Sequence, residues 1–181
     1  MNLRQTTLAL ALLSALLLAP AGTSATPSDL DGDPFTGMLV SGSSPDGAEF
    51  LGTMELQDFD TRDGQLVALG TLSGQVTRTD GTLTTPVATV DGASIEVPVG
   101  SVVATCERLN LAFGPAPLEV QSPMIQVAPI RIDDADLNAD GVMNRERLCT
   151  LASQFQEAPG RTLQAGILDA VKDEFDEQHR S

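Results

Sequence analysis

The spacing of apolar and polar residues changes character several times along the chain. Residues 8–19 form an almost unbroken apolar run, relieved only by Ser14. Residues 26–34 are polar and carry Pro27, Gly32 and Pro34, the pattern of a flexible segment. From Phe35 onward, short apolar stretches alternate with turn residues. Strands are expected at 35–40, 50–59, 65–78, 82–90, 95–99, 109–113, 118–120 and 124–132. Asp-Gly pairs begin at residues 46, 63, 80 and 91, each a turn signal because glycine adopts positive φ without steric cost. Leu109, Leu111 and Phe113 alternate with Asn110 and Ala112, as in a half-buried strand. Ile125 and Val127 share one parity and Ile130 and Ile132 the other, so Ala128-Pro129 marks a bulge or an edge.

The period then lengthens. Leu148, Leu151, Ala152 and Phe155 recur at helical spacing within 142–155. Leu163, Ile167, Ala170, Val171 and Phe175 do so within 162–178, where Asp169, Asp173 and Glu174 read as a solvated face. The expected fold is mainly β, an antiparallel meander, sandwich or barrel-like sheet with two C-terminal α-helices, α+β overall. It forms one domain over 35–178. Gly37, Gly52 and Gly70 recur beside threonine among apolar residues, as expected where a sheet bends or is closely approached.

The first apolar run carries a prediction of its own. Arg4 precedes it, Pro20 and Gly22 end it, and Ala19-Pro20-Ala21 and Thr23-Ser24-Ala25 offer small-x-small cleavage sites. This is the layout of a secretory signal peptide over 1–25. The run is shorter than the roughly 20 apolar residues of a membrane span. The expectation is export to a periplasmic or extracellular location, with no stable membrane insertion after cleavage. Of 181 residues, cleavage after Ala25 leaves 156, and loss of Arg4 takes the formal charge from −15 to −16. Phosphate backbones repel such a chain, so nucleic acid is not an expected partner; the protein or small-molecule partner is left open. With no Trp and no Tyr, the rigid amphipathic platforms common at sugar sites and protein hot spots are missing.

Candidate chemistry is sparse. Cys106 and Cys149 are the only cysteines. In an exported chain they allow one intramolecular disulfide, joining the start of the second half to the first helix; two buried thiols or a metal pair are the alternatives. His179, the single histidine, stands near the chain end, and no nucleophile elbow, zinc-helix motif or phosphate loop is present. Asp136, Asn138 and Asp140 occupy positions 1, 3 and 5 of a calcium loop, Gly141 position 6, Val142 position 7 and Asn144 position 9. Arg147 stands where the loop's bidentate acid belongs, so any calcium bound there is expected to be held weakly. The opposing reading is a capped helix start with solvated acids. No cofactor is otherwise expected.

Two stretches resemble an uncharacterised family of exported bacterial or archaeal proteins. One is Gly64-Gln65-Leu66-Val67-Ala68-Leu69-Gly70-Thr71-Leu72-Ser73-Gly74. The other runs from Cys106 through Leu109 to Pro115, Pro117 to Val120 and the 125–132 strand to Leu148-Cys149. The resemblance covers about residues 35–155. It implies export, the cysteine pairing and a β-rich body, and no activity. Where similar sequences carry a Pro/Gly/Leu-rich segment, this chain is acidic from Asp133 to Gly141. The expected function is that of a non-catalytic structural, surface or weak binding module. A carrier of a small apolar ligand in a barrel-like cavity and a carboxylate- or metal-dependent enzyme are the alternatives.

Overall fold

The structure is a computed structural model that describes residues 35–119, 124–133 and 145–179. Eight strands form one sheet: β1 (Met38–Ser43), β2 (Ala48–Arg62), β3 (Gln65–Asp80), β4 (Leu83–Ala104), β5 (Leu109–Phe113), β6 (Ala116–Glu119), β7 (Met124–Val127) and β8 (Ile130–Ile132). Among the described residues two helices follow, α1 (Arg145–Glu157) and α2 (Arg161–His179). The strand order is β6-β7-β1-β2-β3-β4-β5-β8, and every pairing is antiparallel. Of the expected β architectures, the meander is the one that forms, and the sheet does not close into a barrel. Only Ala128 and Pro129 separate β7, near one end of the sheet, from β8 at the other. The parity change there is thus a transfer of the chain from the ladder of β1 to that of β5.

Among the described residues, the turn chemistry follows the sequence at three of the four Asp-Gly pairs. Asp63 and Gly64 both have positive φ (51° and 77°) between the paired residues Arg62 and Gln65, a two-residue hairpin turn of the favoured hand. Ser44 to Gly47 closes a turn through Gly47 N–H to Ser44 O (3.1 Å), with Gly47 at φ 81°. Gly81 (φ 64°) turns β3 into β4. The fourth pair departs from expectation: Asp91-Gly92 does not end a strand but forms a bulge inside β4, with Gly92 at φ 61° and its N–H donated to Ser73 Oγ at 3.0 Å.

Bulges decide which side chains face inward. In β2, Phe50, Met54 and Leu56 are buried, all at even positions; the extra residue Gln57 shifts the register, and Phe59 is buried at an odd one. β4 repeats the device. Val90 is buried before Asp91-Gly92, Ile95 and Val97 after it, and Val102 packs on the core beyond the next irregularity, at Gly100. An alternating strand of 22 residues would otherwise turn its apolar face away as the sheet curls.

The helices close the core from outside. α1 buries Leu148, Leu151 and Ala152 as expected. In α2 the buried stripe is Ala165, Leu168, Val171 and Phe175. Val171 and Phe175 are buried as expected and Ile167 packs on the core, whereas Leu163, 56% exposed, and Ala170 face outward. Phe175 meets Phe35 edge-on, ring centroids 5.5 Å apart, so the first and last described segments share one core.

Candidate functional site

Two of the residues predicted from sequence are brought together. Thr105 starts a tight turn after β4: its N–H donates to Arg108 O (2.9 Å), and its Oγ1 accepts the N–H groups of Glu107 (3.2 Å) and Arg108 (3.1 Å). That turn presents Cys106 to Cys149 on α1, and the two form a disulfide. Arg145 lies 3.7 Å from Glu107 beside the bond, and Gln156 Nε2 donates to Ala104 O at 3.3 Å. The junction fastens α1 to the end of β4.

The candidate calcium ligands Asp136, Asn138, Asp140, Val142 and Asn144 lie outside the described residues. Arg147, at the loop's twelfth position, is described. Its Nη2 and Nε stand 2.7 and 2.8 Å from Glu174 Oε2 on α2, so it joins the two helices. Among the described residues, no group of three or more His, Cys, Asp or Glu is arranged to hold a metal ion.

One arrangement had no forecast. On its first residues β2 pairs with β1, whose ladder reaches Met54; Phe35 O then accepts Leu56 N–H at 2.8 Å. Beyond that point α2 lies along the strand. The N–H of Phe59 donates to Asp169 Oδ1 at 2.6 Å and to Asp58 Oδ1 at 2.9 Å. Two carboxyl groups from positions 58 and 169 therefore meet on one backbone donor. Burial pushes the Asp169 carboxyl up to about 7, and the hydrogen bond with Asp58 and the charges of Asp58 and Asp173 push the same way; the Phe59 N–H opposes them. Asp169, expected on the solvated face, is half-buried against the sheet instead. Helical periodicity could have placed it near Leu168 on the buried side, but nothing local in the sequence pairs it with Asp58.

A second acidic contact is an ordinary turn device. Asp46 accepts hydrogen bonds from Ser44 Oγ and from Arg78 Nη2. The Ser44 hydroxyl first, and the Arg78 charge after it, hold its carboxyl below the usual carboxylate range.

The surface of the described residues includes open grooves and an exposed hairpin end. A groove of about 570 Å³ runs past Arg62, Gln65, Ser94, Glu96 and Pro117, and one of about 560 Å³ past Ser43, Glu49, Leu51, Gln126 and Pro129. The far end of the β3–β4 hairpin is open to solvent: Leu83, Thr84, Thr85, Pro86 and Val87 are all exposed, Leu83 at 71%. No charged residue occurs from Gly81 to Val90. No family model, curated protein or solved structure matches the chain, so the family resemblance rests on the residues quoted for it.

Proposed function

We propose that the chain is an exported, non-catalytic module that works through its outer surface as a structural or weakly binding element. The carrying observation is the β3–β4 hairpin end, where apolar Leu83 and Val87 stand in solvent within an uncharged stretch of a strongly acidic chain. Exposed apolar groups at the end of a hairpin suit contact with another surface. The disulfide and the apolar leader at 8–19 support an oxidising destination. The interior is filled by Phe35, Phe50, Met54, Leu56, Leu72 and Leu111, each under 2% exposed. With that filling and an open ladder, the described residues form no barrel-like container for the carrier reading, which favours the surface reading.

Fractionation of the native host tests both halves. The mature chain should lack its first 21 or 25 residues and be found in the envelope or the medium; a full-length cytosolic product overturns export. Leu83→Lys with Val87→Lys should move envelope-bound protein to the soluble fraction without lowering Tm. Unchanged partitioning would remove the hairpin as the contact.

A further inference from the structure

The Asp58–Asp169 pair has a consequence for how the helix is held. α2 covers a part of β2 that no strand covers among the described residues, and the Phe59 N–H is where the helix bonds that edge. The bulge at Gln57 makes this possible, because it changes the register of β2 just before Asp58 and Phe59. Both Oδ1 atoms sit within 3 Å of the same nitrogen. At that proximity one shared proton lets the carboxyls bond each other, whereas two ionised groups repel.

The surroundings supply little to offset a second negative charge. On α2, Asp173 adds to the negative field. Lys172, the only lysine, is buried and paired with Asp176 at 2.6 Å. On β2, Asp60 is held by Arg62 at 3.0 Å. On β3 the residues paired with Asp58 and Phe59 are Leu69 and Ala68, which carry no charge. On α1, Arg147 is bound to Glu174.

We propose that Asp58 and Asp169 form a pH-sensitive latch: protonated, the pair fastens α2 to the uncovered edge of β2, and ionised, it loosens that hold. The sign follows from linkage. A carboxyl raised from 3.8 to about 7 on folding gives stability that is full below pH 4 and is lost progressively up to about pH 7. Above about pH 8 this carboxyl contributes no further change.

The chain is well suited to the test, because its one histidine is His179 and both cysteines are disulfide-bonded. A His179→Gln background removes the one imidazole, whose ordinary range overlaps this window. NMR of the folded protein with ¹³C-labelled aspartate should show one carboxyl with a midpoint near 7. It should vanish in Asp169→Asn and move to lower pH in Asp58→Asn. Tm should fall by about 3 °C between pH 5.5 and 7, after discounting for solvent screening, and level off above 8. The fall should be absent in Asp169→Asn, which keeps an acceptor for Phe59. Hydrogen-exchange protection should drop above pH 7 at the Phe59 amide and along α2, while the β3–β4 ladder keeps its own. All aspartate midpoints below 5.5, an unchanged slope in Asp169→Asn, or a uniform loss of protection would each overturn the latch.

Discussion

Gly52 and Gly74 face one another across β2 and β3, beneath the ring of Phe50. A methyl group on Gly52 would come 2.7 Å from Phe50 Cζ, and one on Gly74 2.9 Å from Phe50 Cε2. Neither contact is tolerable, and the ring, 1% exposed, has nowhere to go. Gly52→Ala is therefore expected to cost about 1–3 kcal/mol by overpacking, read as a lower midpoint in denaturant at unchanged slope. Gly64→Ala meets no neighbour and fails for a different reason: φ is 77° there, and the left-handed conformation costs about 1–2 kcal/mol for a residue with a Cβ. Both glycines were legible in the sequence as a strand glycine and a turn glycine, because each acts through local backbone chemistry. Asp169 was not. Its meaning depends on Asp58, 111 residues away, and no local pattern pairs the two.

At the level of elements, sequence and structure differ most in β4. Asp91-Gly92 has the composition of a hairpin turn, and its glycine does take positive φ. Local chemistry permits either a turn or a bulge; the flanking pairs Gly74–Val90 and Leu72–Ala93 select the bulge by holding both sides against β3. Two predicted strands are thus one. The helices were legible as helices, whereas the buried face of α2 had to be set by what it packs on. The disulfide acts at this scale too. Its 43-residue separation corresponds to about 4 kcal/mol of unfolded-state restriction in the chain-entropy picture. The pair Cys106→Ser and Cys149→Ser should lower Tm by on the order of 10 °C. Amide protection in α1 should fall before that in β2 and β3, since α1 is what the bond fastens. Equal loss everywhere would mean that the helix is held by its packing alone.

The whole molecule is governed by its charge and by where its ends meet. A chain of net charge −15 repels itself in the compact state, so added salt should raise Tm through screening. Calcium and magnesium at matched ionic strength should then act alike. A rise specific to calcium and abolished by Asp136→Ala would instead establish the 136–144 loop as a metal site. The sequence foretold the α+β class because its periods change where the helices begin, but it could not foretell the order of strands, which joins β1 to β7 and β5 to β8 across long separations. Those separations and the Phe35–Phe175 contact make the fold late to close. Phe175→Ala should cost about 3–5 kcal/mol, and a chain ending at Glu157 should show no cooperative melt. During synthesis, then, Phe35 waits 140 residues for its ring partner. Were the chain exported as proposed, that delay would leave the Phe35–Phe175 contact unmade until α2 had followed β1 across.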